Sequence, residues 1–171
     1  RLAQRVRDHV HRLDVLVNNV GGLPATRQQT ADGYEETLAL NAVGPFALTR
    51  ALLPLLHAAG KSRVVNVISG AHALWGGDPF DDLHGTASYV GIRALARAKL
   101  LGLLWTLALA RRPESRHVAV NATNPGRVWT PGTQALAREV ARPWRITWPF
   151  VRFVRRWASP ESAARSSIHL A

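Results

Sequence analysis

The chain is 171 residues long, 47% hydrophobic and 19% charged, which suits one folded domain with its own core and excludes a disordered or low-complexity protein. It contains no cysteine, which excludes disulfides, a thiolate metal site and a cysteine nucleophile. The formal charge is +11, from 22 basic and 11 acidic residues, but the arginines are spread over most of the chain, so nucleic-acid binding is not expected.

There is no methionine, so Arg1 is not expected to be the natural start. The segment from Arg1 to His11 alternates charge with isolated apolar residues, unlike a signal peptide. The longest uncharged apolar run, Leu100 to Ala110, is eleven residues, too short to span a membrane.

In chain order, Leu2, Val6, Val10 and Leu13 predict a short amphipathic helix. Val15-Leu16-Val17 predicts a buried strand that runs into Asn18, Asn19, Val20, Gly21 and Gly22. Thr30 to Glu35 (TADGYE) is predicted to lead into a second helix that ends near Gly60, and a second strand is predicted from Arg63 to Ile68, ending at Ser69-Gly70. A loop follows to about Gly85. Then comes a long helix from about Ser88 to Arg111, with Leu, Ala and Trp expected on its inner face. His117 to Asn121 predicts a third strand entering Asn124-Pro125-Gly126, and Pro160 to Ala171 a final helix capped by Ser159. Pro131 to Pro149 is the least regular stretch.

Buried strands alternating with long helices predict an α/β fold with a parallel sheet of about three central strands. Ligands of such sheets bind beyond the carboxyl ends of the strands. Here those ends carry glycines, amides and one serine: Asn18, Asn19, Gly21, Ser69, Asn124, Pro125 and Gly126. Asn41 lies inside a helix, where Asn has poor propensity. Lys99 lies in an apolar helix, where its ammonium needs a polar site.

These segments resemble the short-chain dehydrogenase/reductase family, and its retinol-dehydrogenase-like branch in particular. LDVLVNNVGG (Leu13 to Gly22) resembles the Asn-Asn-Ala-Gly segment, and NAVGPFALT (Asn41 to Thr49) the helix with the catalytic Asn. RVVNVISGAH (Arg63 to His72) resembles the strand ending in the catalytic Ser, and NPGRVWT (Asn124 to Thr130) the nicotinamide-contacting segment. FDDLHG (Phe80 to Gly85) and the helix ending LWTLALARR carry the branch resemblance. The resemblance implies a single, partial Rossmann-like doubly wound domain over residues 1–171, NAD(P) as cofactor and a hydrophobic alcohol or carbonyl substrate. It implies catalytic roles for Asn41, Ser69 and Lys99, with Ser69 binding the substrate oxygen, Asn41 holding a water in a proton relay, and Lys99 binding ribose hydroxyls. Asn18, Asn19, Gly21, Lys99, Pro125, Gly126, Val128 and Thr130 would bind the cofactor. No metal site is expected.

Two departures stand out. The family's opening strand and glycine-rich turn, which holds the pyrophosphate at a helix N-terminus, is not found, so the first βαβ half is expected to be lacking. The family also places its catalytic Tyr four residues before Lys, on one side of the helix. Four residues before Lys99 is Leu95. Tyr89, with Arg93 four residues on, is an alternative pair, but YVGIRALARAKL matches the family with Tyr89 at its non-catalytic tyrosine, Leu95 at the catalytic one and Ala98 in place of Ser. Leucine cannot transfer a proton, so the expectation is an impaired or inactive oxidoreductase.

Arg138 to Trp157 interleaves arginines with Trp144, Trp148, Phe150, Phe153 and Trp157. By resemblance, 131–157 is the substrate lid, with peripheral membrane contact as the next reading. The family also implies a homodimer through the long helix and a cytoplasmic, membrane-associated location. The alternatives are a degenerate, non-catalytic homologue or fragment acting as a binding or scaffold module, and a basic peripheral membrane module.

Overall fold

Three short Val-rich runs form the centre of the molecule. A computed structural model describes residues 1–171 other than 25, 76–77, 113–115, 129, 131–132 and 134–156, with Leu74 and Trp75 described by backbone alone. Strands β1 (Val15–Asn18), β2 (Ser62–Val67) and β3 (Val118–Thr123) pair in parallel in the order β1-β2-β3. Parallel neighbours need long crossovers, and helices supply them here. The chain is α/β, as the periodicity predicts. Sequence position 131–157, expected as a lid, lies almost wholly outside the described residues.

The first crossover enters at α2 (Glu36–Leu38), widens into one π-helical turn (Ala39–Val43) and continues as α3 (Gly44–Ala58). It starts at Glu36, directly after the expected lead-in, where the buried Glu35 carboxylate caps it by accepting from Thr37 N and Leu38 N, both at 2.8 Å. The second crossover contains a short helix, α4 (Ala71–Trp75), where a loop is expected from sequence, and then α5 (Gly91–Ala110). The last helix, α6 (Pro160–Leu170), starts at Ser159, whose hydroxyl accepts from Ser162 N at 3.2 Å, as predicted. The first helix, α1 (Leu2–His9), buries none of its residues.

Successive strand residues point to opposite faces of the sheet. Leu16, Val64, Val118 and Val120 pack under Leu53 and Leu56 of α3. The alternate residues face the α6 side, where Val65 is fully covered but Val17 stays 43% exposed. Of the Leu, Ala and Trp expected on the inner face of α5, alanine predominates: its buried residues are Ala94, Ala96, Ala98, Lys99, Gly102, Thr106 and Leu109. Small side chains let the helix lie close to the sheet, and Leu104 and Leu107 point outward.

The segment Glu36–Ala58 is, by length and composition, apolar enough to cross a membrane. It is not an uncharged run, since Glu36 and Arg50 fall within it. Its Thr49, Leu52 and Leu56 are buried, and it packs on the sheet as a core helix.

Candidate active site

The register between β1 and β2 places Asn18 directly beside Asn66. Both amides are buried on the α3–α5 side of the sheet, where each needs partners. Asn18 Nδ2 donates to Asn66 Oδ1 at 2.7 Å and to Thr49 Oγ1 at 2.9 Å. Asn66 Nδ2 donates to Thr106 Oγ1 at 2.9 Å, and Thr106 Oγ1 in turn donates to Gly102 O at 2.6 Å. This polar ladder ties β1, β2, α3 and α5 together immediately below the strand ends. The Asn18 side chain is therefore committed to the scaffold.

Asn41 sits in the π-helical turn, where Gly44 N reaches back five residues to Ala39 O. Such turns are often found at functional positions. Asn41 Nδ2 donates to Thr37 O and Gly22 O, both at 2.9 Å, which pins the loop after β1 to the helix. Its other amide atom, Oδ1, is buried with no hydrogen-bond partner among the described residues. A Cβ on Gly21 would lie 3.3 Å from that oxygen and 3.7 Å from Lys99 Nζ. The glycine thus keeps the approach to both groups open.

Lys99 is only 8% exposed. Its Nζ donates to Val67 O at 3.0 Å and Val20 O at 3.4 Å, at the ends of β2 and β1. Burial lowers its pKa. Sequence placed Lys99 and Asn41 at one site, and the structure brings them together in a cavity of about 10 Å³ that also involves Asn18, Asn66 and Trp105. Leu95 precedes Lys99 by one helical turn on the same side of α5.

A second, larger cleft of about 530 Å³ gathers Asn19, Pro125, Gly126, Val128 and Thr130 with Val17, Val67 and residues of α6. Gly126 has φ +74°, a left-handed turn that favours glycine. Asn124 Oδ1 accepts from Gly126 N at 3.1 Å and shapes this turn. Thr133, missed from sequence, donates to Val128 O at 2.7 Å and accepts from Thr130 N at 2.8 Å. Val67 borders both spaces. Ser69 lines neither; its Oγ accepts from Ala71 N at 3.2 Å at the start of α4.

Tyr89 points elsewhere. Its hydroxyl donates to Pro24 O at 3.1 Å and lies 3.1 Å from Thr37 Oγ1. Burial pushes its pKa up, away from the phenolate a general base requires. The neighbouring loop is held by Asp82. Burial tends to raise this carboxyl, but hydrogen bonds from the backbone of Ser88, the Thr86 hydroxyl and the backbone N–H groups of Ala87 and Thr86 bring it down to about 2. Arg97 donates to Asp82 O, and Arg27 Nε to His84 O at 2.8 Å, which locks the loop over α5 and the entry to α2.

A family model described as short chain dehydrogenase matches residues 1–141. The chain belongs to the short-chain dehydrogenase family. This family member is similar to human retinol dehydrogenase 14, 39% identical over 163 residues that cover 94% of this chain and 46% of the relative. It is also similar to human retinol dehydrogenase 12, 36% identical over 93% of this chain and 48% of the relative. The chain spans about half the length of the curated relatives it matches. Among solved structures it is similar to a Beutenbergia cavernae protein named for NAD(P)-dependent gluconate 5-dehydrogenase activity and holding NADP at low occupancy. There the identity is 29%, the TM-score 0.68, and coverage 99% of this chain and 63% of that one. RhlG of Pseudomonas aeruginosa, in an NADP active-site complex, is 26% identical with a TM-score of 0.64, covering 98% and 62%.

Proposed function

We propose that this chain forms the nicotinamide-side part of an NAD(P)-dependent oxidoreductase site for a hydrophobic alcohol or carbonyl compound, with proton transfer impaired by Leu95. The observation that carries the reading is Lys99: a buried ammonium beside Gly21 and Asn41 Oδ1, held by main-chain carbonyls at the carboxyl ends of two parallel strands. A buried cation there offers N–H donors to hydroxyl groups, which suits a ribose.

When bound, the nicotinamide would supply or accept a hydride. Asn19, Gly21, Pro125, Gly126, Val128 and Thr130 would line its position, and Asn18 would support it from the scaffold. Lys99 would hold the ribose hydroxyls, Ser69 the substrate oxygen and Asn41 a water near Lys99. Reduction of a carbonyl also needs a proton donor for the developing alkoxide. Leu95 offers none, and Tyr89 is bonded to Pro24 and Thr37. Loss of a general acid or base lowers the rate by about 10²–10⁴-fold. The glycine-rich turn that holds the pyrophosphate in the family is not found in the 171 residues.

Similarity to retinol dehydrogenases supports a retinoid-sized apolar substrate. The exposed Phe46, Leu104 and Leu107 support a homodimer through the long helix. The Arg- and Trp-rich segment supports a lid over the substrate and peripheral contact with a membrane from the cytoplasm. A second reading, a non-catalytic binding module built on the same fold, is favoured by Leu95 specifically.

Calorimetric titration of the full-length protein with NADPH and NADH tests the first reading. Binding of at least one, weakened about tenfold or more by Lys99→Ala, is the expected outcome. Absence of binding to both nucleotides by the folded protein refutes it.

A further inference from the structure

The segment that leaves β1 is held by three side chains in succession, one at every second carbonyl. Val20 O accepts from Lys99 Nζ at 3.4 Å, Gly22 O from Asn41 Nδ2 at 2.9 Å, and Pro24 O from the Tyr89 hydroxyl at 3.1 Å. Lys99 and Asn41 are residues to which the family resemblance gives catalytic roles; Tyr89 stands outside them. The segment also lies hard against the helices. A Cβ on Gly22 would meet Leu40 Cδ2 at 2.6 Å, and one on Gly91 would meet Leu23 Cδ1 at 3.1 Å and Pro24 O at 3.3 Å. Glycine at 91 thus lets Pro24 O come within reach of Tyr89.

The third bond has one possible direction. A phenol carries a single proton, and a carbonyl oxygen can only accept, so that proton goes to Pro24 O. In the 3.1 Å contact between Tyr89 and Thr37, the Thr37 hydroxyl is therefore the donor. Thr37 is fully buried and tied at both ends of its backbone. Its N–H donates to Glu35 Oε1 at 2.8 Å, and its carbonyl accepts from Asn41 Nδ2 at 2.9 Å. A continuous run of hydrogen bonds thus joins Gly22 O to Pro24 O through Asn41, Thr37 and Tyr89. Gly21, beside Asn41 Oδ1 and Lys99 Nζ, directly precedes the stretch so closed.

We propose that Tyr89 is a positioning residue: its hydroxyl, oriented by Thr37, fixes the segment from Val20 to Pro24, keeps Gly21 in place beside Lys99, and so raises affinity for the nucleotide. The role needs no contact between Tyr89 and the nucleotide. Its nucleotide half rests on the cofactor reading given above, whereas the clasp on the segment does not.

The test uses the full-length protein, with NMR relaxation of its backbone amides in the nucleotide-free state and calorimetric titration with NADPH and NADH. Tyr89→Phe keeps the ring and removes the hydroxyl. Thr37→Val keeps the shape and removes the donor, and Thr37→Ser keeps the donor. Order parameters of Gly21, Gly22 and Leu23 should lie near ~0.85 in the wild type and fall in Tyr89→Phe and Thr37→Val, with those of β2 unchanged. Affinity for the nucleotide should weaken in the same two variants by about 2–10-fold, the size of one hydrogen bond. Thr37→Ser should match the wild type in both measurements. Order parameters that Tyr89→Phe leaves unaltered overturn the proposal, as does a loosened segment with wild-type affinity. A wild type that binds neither nucleotide refutes the cofactor reading, and the order parameters alone then uphold or overturn the clasp. Should Tyr89→Phe fail to fold, Thr37→Val against Thr37→Ser decides.

Discussion

Asn66→Leu is predicted to destabilise the fold through the ladder under the site. Asn66 accepts from Asn18 Nδ2 at 2.7 Å and donates to Thr106 Oγ1 at 2.9 Å, at a position only 4% exposed. Leucine has a similar size, so the cavity cost is small and the lost polar contacts dominate. Two hydrogen bonds are worth about 0.5–1.5 kcal/mol each, and one Asn18 N–H is left buried without an acceptor. A loss of about 2–4 kcal/mol follows. With a urea dependence of about 2 kcal/mol per molar, the unfolding midpoint should fall by roughly 1–2 M. The double variant Asn66→Leu, Thr106→Val removes both members of one pair and should recover part of the loss, which a double-mutant cycle measures. A single variant within about 0.5 kcal/mol of the parent refutes the ladder's structural role.

Three further outcomes follow from the same geometry. Tyr89→Phe removes bonds to Pro24 O and Thr37, so it should cost about 1–2 kcal/mol in urea unfolding while changing turnover less than tenfold; a complete loss of turnover would identify Tyr89 as the proton donor. Burial lowers the Lys99 pKa below the usual 10.5, so between the lowered value and 10.5 the unfolded chain binds more protons than the native one. Stability relative to Lys99→Met should therefore rise with pH across that window, and a flat difference would contradict the burial of a charged ammonium. Asp82, held at about 2 against an ordinary 3.8, contributes stability above 3.8 that is lost as pH falls through about 2. Acid unfolding of Asp82→Asn should thus differ from the parent near neutral pH and converge with it at the lowest pH; a gap independent of pH speaks against these hydrogen bonds.

Much of the scaffold was legible because strand and helix patterns differ in period and the three strands end in small or amide residues. Val15-Leu16-Val17, Arg63 to Ile68 and His117 to Asn121 all lie on observed strands, within a residue or two at each end. Lys99 stood out as the only lysine in the long, largely apolar helix, and it is buried at the strand ends. The π-helical turn was not legible from the apolar pattern, and the bond Asn41 makes there to Gly22 O joins a loop distant in sequence. Asn66 could have been found: it is an isolated amide inside RVVNVI, and a polar residue in a buried strand implies a partner. Thr133 carried no such signal, because its role depends on which atoms the fold brings within hydrogen-bond reach. The short helix α4 was hidden by the glycines and prolines that follow it.

The most direct test of the central claim is NADPH-dependent reduction of a long-chain or retinoid aldehyde by the full-length protein, compared with Leu95→Tyr. The account predicts slow turnover by the wild type and a gain of about 10²-fold or more on restoring the phenol one helical turn before Lys99. Rapid wild-type turnover that Leu95→Tyr does not raise would contradict it.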